Sequence, residues 1–151
     1  MSKINPPGLP VERGKIHEFA DAILDDHPFY HDEEAARAAG LPSVVAPPTY
    51  CLTAALYAAA GEEGPMPDEL KALDQRFMLH GAQEFIFERP LFAGDLLVGE
   101  PGEVKAYEKT GKRGGVMKFV EIETIHRDQN GQIVVRSRAT VLQTAGVVSG
   151  E

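Results

Sequence analysis

The chain has 151 residues, of which 43% are hydrophobic and 25% are charged, so it suits one domain with a buried core rather than two. Its net charge of -8 argues against nucleic acid or an anionic membrane as the main partner, because both attract basic surfaces. The single cysteine, Cys51, excludes an internal disulfide framework. No apolar run typical of a secretory signal occurs in residues 1–15, so we expect a cytoplasmic protein.

The N-terminal third predicts an extended arm followed by short helices. Residues 1–14 contain three prolines, and we assign them to the arm. In residues 15–24, four apolar side chains recur at helical spacing and predict one buried face: Ile16, Phe19, Ala20 and Ile23. Asp32 is placed to cap a second short helix, which Gly40 ends. We expect the main domain to cover residues 15–145, with 146–151 as a tail.

The longest uncharged stretch, residues 38–61, is interrupted by Pro47 and Pro48. The helical part that remains, Thr49–Ala60, covers only about 18 Å at ~1.5 Å per residue, whereas a bilayer core needs roughly 30 Å. It is apolar on every side, so it must be enclosed. The pattern therefore predicts a buried helix packed against a sheet or a partner subunit.

The second half changes to the alternating pattern of β-strands. We predict four strands: Gln83–Arg89, Leu96–Lys109, Val116–Arg127 and Ile133–Leu142. A turn at Pro90–Asp95, a glycine-rich basic turn at residues 110–115 and the Asn130–Gly131 pair separate them. Helices followed by an antiparallel meander indicate an α+β fold.

Chemically reactive side chains are concentrated in residues 25–32 (DDHPFYHD). His27 and His31 have the spacing of a helical metal-ligand pair, but Pro28 prevents a regular helix across them, so we expect no metal site. A polar surface loop is the simpler interpretation. A uniformly apolar helix nearby would, however, create a pocket with an apolar wall and a few polar groups.

Other candidate groups are scattered along the chain. Cys51 lies within the apolar helix, where a thiol usually serves packing. Lys112 and Arg113 form an exposed basic turn that could attract the phosphates of a nucleotide-like carrier, although such turns are usually only solvated. His80 either has a structural role in a turn before the first long strand or contributes to a substrate site.

Several segments resemble one protein family. The run Phe19–Gly40 (FADAILDDHPFYHDEEAARAAG) resembles the D-x-N-P-x-H-x-D segment of MaoC-like hydratases and dehydratases. The pieces VAPPTY, LHGAQEFIFERPLFAGD, YEKTGKRGG and TIHRDQNGQIVVRSRAT resemble its N-terminal, fungal-synthase-type dehydratase subgroup. The resemblance implies a single hot-dog fold, an antiparallel sheet wrapped around a central buried helix.

The resemblance also implies reversible hydration of a trans-2-enoyl thioester carried on coenzyme A or acyl carrier protein, without a further cofactor. An Asp and a His orient water, and hydrogen-bond donors hold the thioester oxygen. Asp25 matches the catalytic Asp of the family. We therefore predict Asp25, Tyr30 and His31 as catalytic candidates, and the following residues as substrate-binding candidates: Thr49, Tyr50, His80, Lys112 and Arg113.

The sequence departs from the family pattern at both halves of this machinery. His27 replaces the Asn, Tyr30 stands in place of the catalytic His, and His31 comes one position late. The helix start, where catalytic members carry His-Gly, reads APPT at residues 46–49, and prolines have no N–H to donate. Three explanations stay open: a partner subunit supplies the catalytic pair, displaced groups such as His31 or His80 act instead, or the thioester chemistry differs.

We expect a subunit of an enoyl-thioester hydratase or 3-hydroxyacyl-thioester dehydratase. It would act as a homodimer or as a heterodimer with another MaoC-like hot-dog subunit, and would bind the acyl chain. A non-catalytic acyl-thioester-binding scaffold is the main alternative. A hot-dog thioesterase, with Asp25 or Asp26 as its carboxylate, is a third.

Overall fold

A computed structural model describes residues 8–54, 66–111 and 114–144. The first helices are α1 (Arg13–Ala22), α2 (Pro28–His31) and α3 (Glu33–Ala38). A short helix at Asp68–Lys71 and one-turn 3₁₀ helices at Tyr50–Leu52 and Gln75–Phe77 follow. The strands are β1 (Leu9–Pro10), β2 (Met78–Phe87), β3 (Leu96–Thr110), β4 (Val116–Arg127) and β5 (Ile133–Gln143). Short helices followed by long strands confirm the α+β prediction.

The five strands form one sheet in the order β1-β3-β4-β5-β2. β1 pairs antiparallel with β3, and β3, β4 and β5 follow one another through hairpins. The Glu88 amide donates to the Val134 carbonyl at 2.9 Å, and the Thr144 amide donates to the Phe77 carbonyl at 3.1 Å. These two bonds make β5 and β2 antiparallel. β2 is consequently an edge strand.

The chain divides into two compact units. The first comprises Met1–Glu63, Phe87–Glu100 and His126–Val135, and the second comprises Gly64–Ile86, Pro101–Ile125 and Arg136–Glu151. The core of the first contains fully buried apolar side chains from α1, the loops and β5: Val11, Ile16, Ala20, Val44, Leu91, Val134 and Val135. In the second unit, Leu73 and Val120 are buried.

An ion-pair network joins Arg89, Asp95 and Asp128 in the first unit, next to the turn between β4 and β5. Arg89 donates through Nη1 and Nη2 to the two carboxylate oxygens of Asp95, at 2.7 and 2.9 Å, and through Nη2 to Asp128 at 3.0 Å. The carboxylates of Asp95 and Asp128 are 9% and 3% exposed. Asp128 also accepts the amides of Asn130 and Gln132, so this network fixes the predicted turn between the last two strands.

Several predicted boundaries differ from the structure; both ends of α1 and the ends of β2, β3 and β5 differ by one or two residues, and the difference at the start of β2 is larger. α1 begins at Arg13, inside the predicted arm, and ends at Ala22, so Ile23 lies beyond the helix and is 46% exposed. The prediction that Ile23 faces inward was wrong. β2 begins at Met78 rather than Gln83, because its first residues lack the alternating pattern from which the strand was predicted.

The predicted central helix Thr49–Ala60 is described only in its first part. A 3₁₀ turn covers Tyr50–Leu52, and the backbone is helical at Thr53 and Ala54. Residues 55–60 of that prediction lie outside the described residues. Within the described ranges, no helix has the length and apolar character needed to cross a bilayer.

Candidate functional site

A turn between α1 and α2 carries Asp25, and α2 itself carries the other two predicted catalytic residues, Tyr30 and His31. Leu24 adopts a left-handed backbone conformation with φ of +58°, which is costly for a residue with a branched side chain. The Asp25 amide then donates to the Ala20 carbonyl at 2.9 Å. The Asp25 carboxylate accepts the His27 amide at 3.1 Å. This carboxylate therefore stabilises its own turn.

The start of α2 is stabilised by the residue that departs from the family pattern. His27 occupies the N-cap, and its Nδ1 accepts the Phe29 amide at 3.3 Å. Pro28 takes the first helical position, where its missing N–H costs nothing. Thus Pro28 begins a helix, which agrees with the prediction that no helix continues through it.

His31 is the last residue of α2, and its side chain contacts both α1 and the Asp25 turn. Its Nε2 is 3.0 Å from the Asp25 carbonyl oxygen. Its Nδ1 is 2.6 Å from Nδ1 of His17, and the two rings are nearly perpendicular, at 87°. The contact between His31 and Asp25 thus involves the backbone carbonyl. Across the described ranges, no hydrogen bond joins the Asp25 carboxylate to an imidazole.

Tyr30 is half-buried near the same turn. Burial raises the pKa of its phenol, and the negative charge of Asp25 raises that pKa further. A phenol in this state is a neutral hydrogen-bond donor at physiological pH. The structure therefore brings the three predicted catalytic residues, Asp25, Tyr30 and His31, into one neighbourhood, without the carboxylate–imidazole pair that the family resemblance implies.

The start of the predicted central helix has few free amide donors. Pro47 is buried and Pro48 is exposed, and neither has an N–H. The Tyr50 amide already donates to the Pro47 carbonyl at 2.8 Å. Thr49 is exposed and occupies the N-cap position, but its side chain makes no capping hydrogen bond. The exposed Thr49 hydroxyl is therefore a candidate donor at this end.

Two buried side chains follow in the same turn. The Tyr50 ring packs edge-to-face on Phe19, with the centroids 5.5 Å apart, and both burial and the charge of Glu12 raise the pKa of its phenol. Burial raises the pKa of the Cys51 thiol to about 11. Cys51 is consequently unsuited to nucleophilic catalysis, as predicted from its apolar surroundings.

The other predicted substrate-binding residues lie elsewhere in the chain. His80 belongs to the second unit and lies within β2, not in a turn before it, so that part of the prediction was wrong. Its Nε2 is 3.0 Å from the Ala82 carbonyl oxygen, and the ring is exposed. Lys112 and Arg113 lie outside the described residues.

A half-open cavity of about 380 Å³ occurs within the second unit. Its walls include Tyr107 and Phe119, whose rings stack with centroids 5.1 Å apart. Lys118 and Glu69 supply charged groups to the wall. None of the predicted site residues lines this cavity, so volume alone does not identify the site.

The sequence interpretation did not single out His17. Its Nε2 lies 3.4 Å from Oδ2 of Asp21, one helical turn along α1, and its other ring nitrogen faces His31. The i, i+4 spacing of His17 and Asp21 was a detectable signal. It was not recognised because the reactive side chains are concentrated in residues 25–32, outside α1.

Comparisons with known proteins agree with the resemblance. The family described as "FAS1-like, dehydratase domain region" matches residues 2–137. A UPF0336 protein from Streptomyces griseus is 37% identical over 139 residues, which cover 92% of this chain and 87% of the relative. Another from Saccharopolyspora erythraea is 45% identical over 91 residues, 60% of this chain and 56% of the relative.

Solved structures show the same fold. The HadBC (3R-hydroxyacyl-ACP dehydratase) complex from Mycobacterium tuberculosis superposes with a TM-score of 0.71 and 27% identity, covering 91% of both chains. The ChsH1-ChsH2 complex from the same organism superposes with a TM-score of 0.70 and 25% identity, covering 93% of this chain and 82% of the other chain. A double hot-dog protein from M. tuberculosis superposes with a TM-score of 0.53 and 16% identity. The match covers 96% of this chain and 42% of that protein.

The family match spans nearly the whole chain, and the antiparallel sheet with few helices is the fold of these structures. The fold prediction is thereby confirmed. This chain belongs to the FAS1-like dehydratase-region family of MaoC-like proteins and has a hot-dog fold.

Proposed function

We propose that the chain is the acyl-binding subunit of an enoyl-thioester hydratase or 3-hydroxyacyl-thioester dehydratase, and that a MaoC-type partner supplies the catalytic Asp and His. The observation that carries this proposal is the likeness in sequence and fold to the HadBC dehydratase complex over 91% of the chain. The substrate would be an enoyl or 3-hydroxyacyl thioester of coenzyme A or acyl carrier protein.

The geometry around α2 supports the need for a partner. Hydration requires a base and an acid placed on one water molecule. Here the Asp25 carboxylate accepts the His27 amide, and His31 directs its ring nitrogens to the Asp25 carbonyl and to His17. Asp25, which matches the catalytic Asp, and His31, which comes one position after the catalytic His, therefore make contacts that stabilise the local fold.

The start of the predicted central helix also supports the proposal that the partner supplies the catalytic groups. A thioester oxygen that gains negative charge in the transition state needs preorganised donors. Pro47 and Pro48 lack N–H groups, and the Tyr50 amide is already engaged. Among the described residues at this end, the exposed Thr49 hydroxyl is a candidate donor in place of the two missing proline amides, and we place the chemistry in the partner.

β2 offers the surface for such a partner. It is an edge strand of ten residues, and edge strands with free backbone groups readily pair with another chain. Two of its apolar side chains, Leu79 and Ile86, are 57% and 48% exposed. The HadBC and ChsH1-ChsH2 structures are complexes named for two different chains. Strand pairing through β2 with a second hot-dog subunit is the arrangement we propose.

Activity assays with defined mixtures test the proposal. Hydration of crotonyl-CoA and longer enoyl-CoAs would be followed with the chain alone, with a hot-dog partner carrying an intact D-x-N-P-x-H motif, and with both. We expect turnover to require the partner and to increase with this chain present. Robust turnover by the chain alone would contradict the proposal that the partner supplies the catalytic groups, if Asp25→Asn abolishes that turnover and the neighbouring control Asp26→Asn does not.

A non-catalytic acyl-binding scaffold is the second candidate, because the Asp25 carboxylate is used within its own turn. In that case the chain would bind enoyl-CoA and the partner, but its addition would leave the kcat of the partner unchanged. Release of free coenzyme A without hydration would instead indicate a thioesterase.

A further inference from the structure

Three side chains of types that can ligate a metal lie close together in the first unit, two on α1 and one at the end of α2. His17 and Asp21 share a face of α1, with Nε2 and Oδ2 separated by 3.4 Å. His31 approaches from the end of α2, with its Nδ1 2.6 Å from Nδ1 of His17. Ligand atoms from all three residues lie within 4.8 Å of one another.

The Asp25 carbonyl defines which ring nitrogen of His31 presents a lone pair. His31 Nε2 faces the Asp25 carbonyl oxygen at 3.0 Å. A carbonyl can only accept, so this nitrogen carries the proton and Nδ1 is left with a lone pair. His17 Nε2 faces the Asp21 carboxylate, which also only accepts. In the tautomer in which His17 Nε2 carries the proton toward Asp21, the Nδ1 lone pair of His17 faces that of His31.

In that tautomer the two Nδ1 lone pairs, 2.6 Å apart, repel each other unless an electrophile lies between them. A proton shared by the imidazoles is one solution, and a metal ion is the other. Ligating histidines typically donate their second N–H to a carboxylate or a backbone carbonyl. Asp21 and the Asp25 carbonyl occupy those outer positions on the two rings.

We propose that His17 and His31 bind a divalent transition-metal cation through their Nδ1 atoms, with Asp21 orienting the His17 ring. Imidazole ligands favour Zn²⁺, Ni²⁺ and Cu²⁺ over Mg²⁺, which prefers oxygen. Water completes the coordination shell. The site differs from the His27–His31 pair considered from the sequence, and it does not depend on the proposed function.

The geometry requires only a small adjustment. Two nitrogens bound to one tetrahedral Zn²⁺ at ~2.0–2.1 Å lie about 3.3 Å apart, so the observed gap of 2.6 Å must widen by about 0.7 Å. The His17 side chain is 56% exposed and can rotate without disturbing the core. The net charge of -8 favours the approach of cations.

Calorimetric titration of the untagged full chain tests this site. We expect one Zn²⁺ or Ni²⁺ ion bound per chain and no binding of Mg²⁺. His17→Gln and His31→Gln should each weaken Zn²⁺ binding by more than about tenfold, and Asp21→Asn by roughly tenfold. The matched control His80→Gln removes another exposed imidazole and should leave affinity unchanged. Equal loss in His80→Gln, or full retention in His17→Gln, would overturn the proposal.

Nuclear magnetic resonance of the imidazole ¹⁵N nuclei provides a readout that needs no variant. Adding Zn²⁺ should shift Nδ1 of His17 and His31, while leaving His80 unchanged. This measurement decides the case even if His31→Gln fails to fold, which circular dichroism would reveal. Absence of Zn²⁺ binding to the wild-type chain, or ¹⁵N shifts confined to other histidines, would refute the site.

Discussion

At the residue scale, the polar side chains around α2 mainly stabilise the turn before that helix and its first residues. Asp25 and His27 each accept a backbone amide within two residues of themselves. Such short-range bonds are typical of Asx turns and N-caps. A conventional catalytic pair would instead keep the carboxylate free to orient an imidazole. The departures from the family motif therefore coincide with a change in what these side chains contact.

Arg89 provides a test of stability at this scale. In Arg89→Ala, the carboxylates of Asp95 and Asp128 lose the cation that neutralises them in a largely buried position. Breaking such a pair is costly because uncompensated charges remain, and we expect the melting temperature to fall by roughly 5 °C. The control Arg127→Ala removes a more exposed pair with Glu100 and should have a smaller effect. Equal melting temperatures for the two variants would refute this role.

The same network predicts a pH dependence. Burial by itself raises the pKa of Asp128, but hydrogen bonds from the Gln132 amide and from Arg89 outweigh it and hold the pKa below the ordinary value of 3.8. Because the pKa of Asp128 is lower in the folded state, its ionised carboxylate stabilises the fold at pH values above 3.8. This stabilisation is lost as the pH falls through the lowered pKa. Urea unfolding should show that acidification through this range destabilises wild type more than Arg89→Ala. The opposite order would be inconsistent with the pKa shift.

Cys51 provides a second test, of chemical reactivity. Because burial raises its pKa to about 11, the reactive thiolate is scarce near neutral pH. We expect a thiol reagent to label the native chain roughly a hundredfold more slowly than an unhindered cysteine. Labelling should accelerate when urea unfolds the chain. Fast labelling of the folded protein would show that this helix turn opens readily.

At the scale of elements, caps set several helix boundaries. The Asp32 carboxylate accepts the amides of Glu34 and Ala35 at 2.8 and 3.2 Å, as predicted for the start of α3. Gly40 follows the helix with φ of +84°, a conformation that glycine adopts without steric cost. These local rules were readable in sequence because each depends on residues within one helical turn.

The cap of α3 can be tested directly. Asp32→Ala removes both accepted hydrogen bonds, and loss of an N-cap typically costs ~1 kcal/mol. Asp26→Ala is the matched control, since Asp26 is exposed and caps no helix. Urea denaturation should show a lower midpoint for Asp32→Ala only. A similar loss in both variants would mean that charge, rather than capping, controls stability here.

Other features of these elements could not be predicted locally. β2 extends to Met78 although residues 78–82 lack a strand pattern, because pairing with β5 supplies the hydrogen bonds. In β5, both Val134 and Val135 are fully buried, which an alternating pattern does not anticipate. Tertiary packing overrides periodicity wherever both faces of a strand are covered.

At the scale of the whole molecule, the exposed edge of β2 predicts assembly. We expect analytical ultracentrifugation to show the chain as a dimer, with itself or with a hot-dog partner. Ile86→Lys places a charge on the edge strand and should weaken that dimer at least tenfold, since charged side chains oppose edge pairing. Val116→Lys, equally apolar and 50% exposed but on the internal strand β4, should not. Identical dissociation by both variants would exclude β2 as the interface.

The sequence by itself determined the fold class, the order of the four long strands and the family, because these depend on periodicity, turns and motifs spread along the chain. It also located Asp25, Tyr30 and His31 in one segment. Only the tertiary structure decided what these side chains contact. The meeting of His17 with His31, from two different helices, and the network of Arg89 with Asp128, from distant parts of the chain, depend on packing that brings separate segments together.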